Sequence, residues 1–347
     1  MKAVVLVGGE GTRLRPLTYA TPKPLLPIAN RPFLERQLTW MAASGIDEVV
    51  LSLGYLPDAF RAHFPDDRFG DLRLRYAVED EPLGTAGAIR FAAETAGIDE
   101  RFVVCNGDVL TALDLSALVR FHDEHDARAT IHLVRVADPS AFGVVPTYPD
   151  GEVKAFVEKP PPGQAPTDWI NAGTYVLEPS VLERIPAGIN VSIERETFPR
   201  MLEGRGALYA LEHDVYWLDI GTPDKYRAAH LDVLAGAVGR PPVADATETE
   251  PGIWVQPGAV IDASTRLVPP VLIGADSAVG PGAYVARTSV GAGCVVGYGA
   301  RVDGSVLLDG AEIGRASDVV DCIVGPDATI PEAGTVRDEI LVADRPE

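Results

Sequence analysis

The chain has 347 residues, 46% of them hydrophobic, and a formal net charge of -20. That length and apolar content are enough for a buried core and for two domains, and no long single-sign charge run suggests disorder. With 50 acidic and 30 basic residues, the surface should repel nucleic acid and anionic membranes. Neither is expected as a partner, and an anionic ligand needs a local positive pocket.

The spacing of the cysteines and the length of the apolar runs indicate in which cellular compartment the protein is expected. Cys105, Cys294 and Cys322 are widely spaced and form no CxxC pair, which argues against a disulfide framework or zinc site and favours a reducing environment. The N-terminal run "AVVLV" is shorter than a signal-peptide core. No stretch approaches the ~20 apolar residues of a membrane span. We therefore expect a soluble cytoplasmic protein.

Residues 1–235 alternate short β-branched runs with helix-like stretches. This alternation predicts an α/β domain with a Rossmann-like, mostly parallel sheet, whose ligands bind beyond the carboxyl ends of the strands. The predicted strands are 2–9, 48–54, 72–79, 101–108 and 129–136, and the predicted helices are 32–45, 85–97 and 115–126.

Residues 236–250 combine glycine, proline and acidic residues without apolar periodicity, which predicts a linker. After it, residues 251–347 place an aliphatic residue at every fifth or sixth position. This period is typical of a triangular β-solenoid, here a left-handed parallel β-helix of hexapeptide repeats, with a glycine-rich β-sandwich as the alternative. The periodic residues are Val255, Ile261, Leu267, Ile273, Val279, Val285, Val290, Val296, Val302, Leu308, Ile313, Val319, Val324 and Ile330.

The first predicted strand runs into "GGEGTRLRP" at residues 8–16. Leu14 stands where a dinucleotide-binding fingerprint needs its third glycine, and the Gly-Lys-Ser/Thr ending of a phosphate-binding P-loop is missing. An ordinary strand-to-helix turn is the remaining simple interpretation.

The local charge favours a phosphate site over a simple turn. Residues 1–31 hold five cations and one acid, a local net charge of +4 in an acidic chain. Gly8, Gly9 and Gly11 allow backbone N–H groups to converge on an anion. Arg13 offers a fork of donors, and Lys23 is held between two prolines. The segment is therefore interpreted as a phosphate clamp.

These residues give a specific resemblance. "GGEGTRLRPLT" with "PKPLLP" resembles the signature of the sugar-nucleotide pyrophosphorylases, which join a nucleoside triphosphate to a sugar 1-phosphate. "EPLGTAG", "NGD", "FGVV", "VEKP", "NAGTYVL" and "WLDIGTP" follow in family order. Within the family, "LVGG" and "SIERETFP" most resemble the guanylyltransferases that act on mannose 1-phosphate, which implies GTP and mannose 1-phosphate as substrates.

The resemblance implies roles for the charged residues. Arg13 and Lys23 would be catalytic, holding the triphosphate and offsetting its developing charge. Asp108 of "NGD" and Asp219 of "WLDIGTP" would bind Mg²⁺, although a single aspartate after a strand is often just a turn or cap. The sugar 1-phosphate is already an anion at pH 7, so the reaction needs no general base.

The remaining site residues divide into two groups. The nucleotide would meet Gly8, Gly9, Gly11, Thr12, Gly84 and Thr85, the last two also fitting a tight turn and helix cap. The sugar phosphate would meet Gly143, Glu158, Lys159, Asn171 and Gly173.

A separate hypothesis concerns the residue that recognises the nucleotide base. A carboxylate accepts both donors on the pairing edge of guanine, so Glu79, or else Glu81, would read the base. The alternative is an ordinary charged strand end.

All six histidines precede the linker, which argues against the acyl-transfer chemistry of other hexapeptide solenoids. A scaffold for homo-oligomer contacts or allosteric control is expected instead. Two rival functions remain: a thymidylyl- or uridylyltransferase acting on glucose 1-phosphate, and a silent homologue that binds a sugar nucleotide.

Overall fold

The computed structural model describes residues 1–203, 206–239 and 242–343. Its backbone forms two compact units, which we call the sheet unit (Met1–Glu10 with Leu34–Trp217) and the repeat unit (Gly11–Phe33 with Leu218–Glu347). The units cross the sequence boundaries expected at 235 and 251, so that division into domains stays a prediction. Residues 204, 205, 240, 241 and 344–347, which fall in the three predicted segments, lie outside the described residues.

Up to residue 235 the chain alternates strands and helices. The strands are β1 (Lys2–Leu6), β2 (Pro27–Ile28), β3 (Arg31–Pro32), β4 (Glu48–Leu53), β5 (Arg68–Phe69), β6 (Leu72–Val78), β7 (Phe102–Asn106), β8 (Val109–Thr111), β9 (Ala129–Arg135), β10 (Gly143–Val144), β11 (Val157–Glu158), β12 (Trp169–Leu177), β13 (Leu208–Glu212) and β14 (Trp217–Asp219). The helices are α1 (Phe33–Ala43), α2 (Pro57–His63), α3 (Gly84–Ala96), α4 (Leu115–Glu124), α5 (Phe198–Met201) and α6 (Pro223–Ala235).

The centre of the sheet unit is parallel, in the order β7-β1-β4-β6. Lys2 is aligned with both Phe102 and Glu48, and Glu48 with Arg73. Ala3, Val4 and Val5 of β1 have no exposed surface, as expected for a parallel strand covered on both faces. All five predicted strands and three predicted helices are confirmed.

The sheet is extended by an antiparallel strand that the sequence reading missed. β12 pairs antiparallel with both β7 and β9, and its register shifts between Asn171 and Tyr175. A bulge of this kind bends the strand and redirects its side chains. Residues 171–177 were interpreted only as a motif, so their place inside the sheet is new.

The carboxyl ends of β1, β4, β6 and β7 lie at one edge of the sheet. Gly8, Gly54, Glu79 and Asp108 follow these strands within two residues, as a site at this edge requires. The parallel register of the four strands therefore brings these residues to the edge at which the site is predicted.

The C-terminal part consists of short parallel strands. Each aligns with a strand 17 or 18 residues further along, for example Val260 with Ala278 and Val295 with Glu312. The strands are β15 (Thr247–Glu250), β16 (Ile253–Val255), β17 (Val260–Ile261), β18 (Arg266–Ile273), β19 (Ala278–Val279), β20 (Tyr284–Val290), β21 (Val295–Val296), β22 (Arg301–Asp303), β23 (Val306–Leu307), β24 (Glu312–Ile313), β25 (Asp318–Val320), β26 (Ile323–Val324), β27 (Thr329–Ile330), β28 (Thr335–Arg337) and β29 (Ile340–Leu341).

With one exception, the periodic aliphatic residues from Ile273 to Ile330 form the core of these strands. Leu307, aligned with Val290 and Val324, takes the core position predicted for Leu308. From Ile273 to Ile330 every one of them is buried, from 0% exposure at Val285 to 4% at Leu308. A register of 17 or 18 residues equals three of the five- or six-residue steps seen in the sequence, so each step supplies one inward aliphatic residue.

Part of the predicted linker is a strand. β15 pairs antiparallel with β16, Thr247 with Val255 and Glu248 with Trp254. All four β15 residues are exposed, which suits an edge strand whose charges discourage further pairing. The sequence reading missed this strand, because an edge strand needs no apolar residues.

A search of residues 1–203, 206–239 and 242–343 finds no helix with the length and apolar character needed to cross a membrane.

Candidate functional site

A first cavity, of about 360 Å³, lies at the carboxyl edge of the parallel strands. Five of the seven residues predicted to meet the nucleotide line it: Gly8, Gly9, Glu79, Gly84 and Thr85. Gly11 and Thr12 belong to the repeat unit. The other lining residues are Leu6, Glu10, Ser52, Gly54, Tyr55, Asp80, Pro82 and Ala88.

Glu79 is held firmly inside this cavity. Its Oε1 accepts a hydrogen bond from Ser52 Oγ at 2.9 Å, and its Oε2 accepts one from the Leu83 backbone N–H at 2.9 Å. A carboxylate oxygen has two lone pairs, so each oxygen retains one acceptor site. Glu81 is exposed and does not line the cavity, so Glu79 is the better placed of the two.

Gly84 and Thr85 begin α3 and connect it to residues 190–194. A Cβ at Gly84, which has φ +68°, would lie 2.6 Å from the Val191 carbonyl oxygen. Thr85 Oγ1 donates to Glu194 Oε2 at 2.8 Å and accepts from the Ile193 N–H at 2.8 Å. Thr85 therefore orients the start of the "SIERETFP" motif and does not cap α3.

A second cavity, of about 340 Å³, holds three of the five predicted sugar-phosphate residues: Gly143, Glu158 and Asn171. Its remaining lining residues are Ala141, Phe142, Ser192, Glu194 and Arg195. Glu194 thus faces the second cavity while bonded to Thr85, which faces the first. This one contact joins the walls of both cavities.

Two cations flank Glu158 at the second cavity. Lys159 Nζ lies 3.9 Å and Arg195 Nη2 3.7 Å from Glu158 Oε1, and both cations are exposed. Lys159 has φ +50°, and its backbone N–H donates to the Phe142 carbonyl at 2.9 Å. Gly143 cannot carry a Cβ, since this atom would lie 2.6 Å from the Phe156 ring.

Asn171 and Gly173 form the bulge of β12. Asn171 Oδ1 accepts from the Gly173 N–H at 3.0 Å, and its Nδ2 donates to Tyr175 Oη at 2.8 Å. Burial raises the pKa of Tyr175 well above its ordinary value, so the hydroxyl stays protonated. Gly173 does not line the cavity; a Cβ there would lie 2.5 Å from Asn106 Nδ2. Its sugar-binding role stays a prediction.

Asp108 follows β7 in a closely packed turn. Gln37 Nε2 donates to the carbonyls of Asn106 at 2.9 Å and Val109 at 3.0 Å, on either side of Asp108. A Cβ at Gly107 would lie 2.4 Å from Val7 Cγ1, so only glycine lets the turn lie against β1. The glycine in "NGD" is therefore required by the close packing of this turn against the end of β1.

The repeat unit contains the clamp cations and the second predicted metal ligand. Arg13 is exposed, and among the described residues it pairs with no carboxylate. A Cβ at Gly221 would lie 2.6 Å from Arg13 Nη2. Gly11 has φ +62°, and a Cβ there would lie 3.0 Å from both Lys23 Cβ and Thr18 Cγ2. Arg13 is therefore next to the "DIGTP" motif, and Gly11 packs against Lys23.

Asp108 and Asp219 stay predictions as ligands of a metal ion. Over residues 1–203, 206–239 and 242–343, no group of three or more His, Cys, Asp or Glu side chains is arranged to hold a metal ion. Mg²⁺ needs only one or two carboxylates plus phosphate oxygens. Asp219 is 21% exposed and paired with Lys225 Nζ, so a cation already lies beside this carboxylate.

Sequence reasoning missed Ser52, Tyr55, Glu194 and Arg195. The last two lie inside the quoted "SIERETFP", so that motif carried a usable signal. Ser52 and Tyr55 carry none, because nothing in "LSLGY" distinguishes a cavity wall from an ordinary strand end.

Family comparison covers both parts of the chain. A family model described as nucleotidyl transferase matches residues 2–236, and one described as GMPPB C-terminal domain matches residues 267–345.

Individual proteins agree with these models. The chain is 42% identical to mannose-1-phosphate guanylyltransferase of Mycobacterium tuberculosis, over 90% of this chain and 80% of that protein. It is 31% identical to UTP–glucose-1-phosphate uridylyltransferase of Synechocystis, over 97% and 90%. The crystal structure of HddC from Yersinia pseudotuberculosis complexed with GMP-PN matches with a TM-score of 0.56 and 32% identity, covering 66% of this chain and 97% of that one.

Proposed function

We propose that this chain, which belongs to the nucleotidyl transferase family, transfers the guanylyl group of GTP to mannose 1-phosphate. The products are GDP-mannose and pyrophosphate. The observation that carries the choice of substrates is the 42% identity with the M. tuberculosis mannose-1-phosphate guanylyltransferase over 90% of this chain. The two adjoining cavities of the sheet unit support the proposal, since the reaction needs one site for a nucleotide and one for a sugar phosphate.

The chemistry is an in-line displacement at phosphorus. A phosphate oxygen of the sugar 1-phosphate attacks the α-phosphorus of GTP, forming a P–O bond while the bond to the bridging β-phosphate oxygen breaks. Pyrophosphate leaves with that oxygen. The attacking monoester is already ionised, with a second pKa of about 6, so no protein group has to remove a proton. Bringing two anions together and stabilising the added charge is the protein's task.

Each cavity has a proposed role. The first binds guanosine, with Glu79 accepting from the donors of the guanine pairing edge and Gly84 and Thr85 allowing close approach to the start of α3. The second binds the sugar, with Glu158 and Asn171 meeting hydroxyls and Lys159 and Arg195 meeting the phosphate. Arg195 is added to the predicted residues because it lies 3.7 Å from Glu158.

The signature loop, residues 8–27 with the motifs "GGEGTRLRPLT" and "PKPLLP", supplies the remaining cations. Arg13 and Lys23 hold the triphosphate, with Gly8, Gly9, Gly11 and Thr12 offering backbone N–H groups. Asp108 and Asp219 hold Mg²⁺, which when bound offsets negative charge on the triphosphate and the leaving pyrophosphate.

Three finer features complete the proposal. The C-terminal strands, with their 17- or 18-residue register, form a left-handed β-helix of hexapeptide repeats. Its flat, repetitive surface suits a homo-oligomer. The three cysteines are buried and unpaired, consistent with a cytoplasmic location.

The test is a matrix of pyrophosphate-release assays. GTP, dTTP, UTP, ATP and CTP are each combined with mannose, glucose and N-acetylglucosamine 1-phosphates. We expect the highest kcat/KM with GTP and mannose 1-phosphate. Highest release with UTP or dTTP and glucose 1-phosphate would replace the substrate pair. The observation behind this rival is the 31% identity with the Synechocystis uridylyltransferase. No release in any combination would indicate the silent sugar-nucleotide-binding homologue.

A further inference from the structure

The signature loop ends in a hairpin with an unusual turn. β2 and β3 pair antiparallel, Ile28 opposite Arg31, around the two-residue turn Ala29–Asn30. Both turn residues have left-handed backbones, with φ of 45° and 57°. Asparagine tolerates this conformation, but an alanine Cβ disfavours it. Contacts from outside the hairpin must therefore stabilise it.

Asn30 makes two such contacts with the C-terminal strands. Its Nδ2 lies 2.8 Å from Gln256 Oε1 and 2.8 Å from the Val290 carbonyl oxygen. The Val290 carbonyl can only accept, so the orientation of the Asn30 amide is determined. Both amide hydrogens of Asn30 are used in holding the hairpin against β16 and β20.

Gln256 is itself held in position to accept. It is 8% exposed, its backbone N–H donates to the Ile273 carbonyl at 2.9 Å, and its Nε2 donates to Asp245 Oδ1 at 2.9 Å. With its nitrogen engaged by a carboxylate, its oxygen is left to accept from Asn30. The contact to Asn30 is thus built into the repeat core.

Helix α6 holds the same hairpin from a second direction. The Ala29 N–H donates to His230 Nδ1 at 3.1 Å, and Tyr226 Oη donates to the Pro27 carbonyl. The Asp219–Gly221 segment, where Gly221 adjoins the Arg13 guanidinium, directly precedes this helix. The elements around Arg13 are therefore connected to the hairpin within one compact unit.

We propose that Asn30 is a positioning residue through which the C-terminal strands hold the signature loop in its triphosphate-binding arrangement. The proposal rests on the function proposed above, because it takes Arg13 and Lys23 to bind the triphosphate. Its consequence is that the C-terminal strands serve nucleotide binding directly and are more than a surface for subunit contacts.

The test is Asn30→Asp in the full chain. Aspartate keeps the size and the left-handed tolerance of asparagine, but it places an acceptor against the Val290 carbonyl. Calorimetry with guanosine, GMP and GTP then separates base binding from triphosphate binding. We expect the GTP affinity to fall about tenfold, the effect of losing buried hydrogen bonds, and the guanosine and GMP affinities to change less than about twofold. Mannose 1-phosphate affinity should also stay unchanged, because its cavity lies in the sheet unit.

Two further variants make the test decisive. Gln256→Met removes one acceptor for Asn30. It should lower the GTP affinity by a smaller factor than Asn30→Asp does and leave the guanosine and GMP affinities unchanged. It provides a test even if Asn30→Asp folds poorly. Ser277→Ala removes a buried bond to the Gly291 carbonyl that does not involve the loop. It should lower Tm and leave the GTP affinity unchanged.

The outcomes are distinguishable. Equal losses for GMP and GTP, or no loss for either in both Asn30→Asp and Gln256→Met, would overturn the positioning role. A wild-type chain that prefers another triphosphate would instead contradict the proposed substrate, and the same series would then be run with that nucleotide.

Discussion

The sheet unit and the repeat unit are built from contacts of different range. β1 aligns Lys2 with Phe102, a hundred residues away, whereas the C-terminal strands align residues 17 or 18 apart. The first arrangement leaves cavities between strand ends and loops, and the second stacks small aliphatic residues into a continuous core. The two cavities of the sheet unit therefore depend on long-range contacts, and the core of the C-terminal strands depends on short-range ones.

The hairpin at Asn30 adds long-range contacts within the repeat unit. Its turn belongs to the N-terminal signature, but its partners Gln256 and Val290 belong to the C-terminal strands. The five predictions below separate loss of chemistry from loss of structure, in order of expected size.

Arg13→Ala should cause the largest loss. Removing one preorganised donor to developing charge lowers kcat by about 100- to 1,000-fold in enzymes of known mechanism, and we expect a similar fall in kcat/KM for GTP. The side chain is exposed, so Tm should not change. Arg61→Ala, which removes an exposed cation that pairs with Asp58 and lies over the Tyr76 ring, is the matched control and should retain full activity. If the Arg13→Ala variant kept half of the wild-type kcat/KM, the proposed role of Arg13 in holding the triphosphate would be contradicted.

Gly274→Ala should destabilise the repeat unit by about 3 kcal/mol, as overpacking does. The added Cβ would lie 2.0 Å from the Gly291 carbonyl oxygen, and Gly291 is held in place because its N–H donates to the Leu307 carbonyl at 2.7 Å. Chemical denaturation of the full chain measures the effect. Ala278→Ser, on the exposed face of the neighbouring strand, should change stability by less than about 0.5 kcal/mol. Equal stability of the two variants would contradict the tight stacking.

His132 should make the sheet unit sensitive to acid. Burial lowers the pKa of His132 to about 4. The hydrogen bond between its Nε2 and the His213 carbonyl, at 3.2 Å, opposes this shift only in part, and its buried Nδ1 has no hydrogen-bond partner within the described residues. Between this value and the ordinary pKa of 6.5, the unfolded chain binds the extra proton. Stability is therefore full above pH 6.5 and decreases as pH falls.

We expect this group to lower the free energy of unfolding by about 2 kcal/mol between pH 7 and pH 5. His132→Gln should remove most of that difference in denaturation curves at the two pH values. His125→Gln, at the end of α4, serves as the control and should keep the wild-type dependence. The same acid sensitivity in His132→Gln as in wild type would show that other groups cause it.

Gly221→Ala should lower activity with little loss of stability, the opposite of Gly274→Ala. Its Cβ would meet the mobile end of Arg13, 2.6 Å from Nη2, and the guanidinium can move away. We expect kcat/KM to fall about tenfold, consistent with a misplaced catalytic group. In the Arg13→Ala background the same substitution should have almost no further effect. Additive losses in the double variant would show that Gly221 acts independently of Arg13.

Glu79→Gln should give the smallest change. Losing one acceptor to guanine should lower the ratio of kcat/KM for GTP to that for dTTP by about fivefold, the value of one hydrogen bond of about 1 kcal/mol. Glu81→Gln, at an exposed position outside the cavity, is the control. An unchanged ratio for Glu79→Gln would leave Glu79 only its structural bonds to Ser52 and Leu83.

Local periodicity was enough to predict the elements and the edge of the sheet that carries the site. Apolar runs identified β1, β4, β7 and β9, because a strand covered on both faces must be apolar almost throughout. β6 instead alternates buried leucines with exposed arginines, as a strand covered on one face does. The repeated aliphatic positions identified the C-terminal core for the same reason, since every turn of a repeat has to bury a similar side chain.

Only the tertiary structure decided which side chains meet. The bonds of Glu79 to Leu83, Thr85 to Glu194 and Asn30 to Gln256 span 4, 109 and 226 residues. A hydrogen bond requires two groups within about 3 Å, and periodicity within one element says nothing about where another element will lie. Loop paths and packing determine those distances, so the walls of the cavities and the support of the signature loop became visible only in the folded chain.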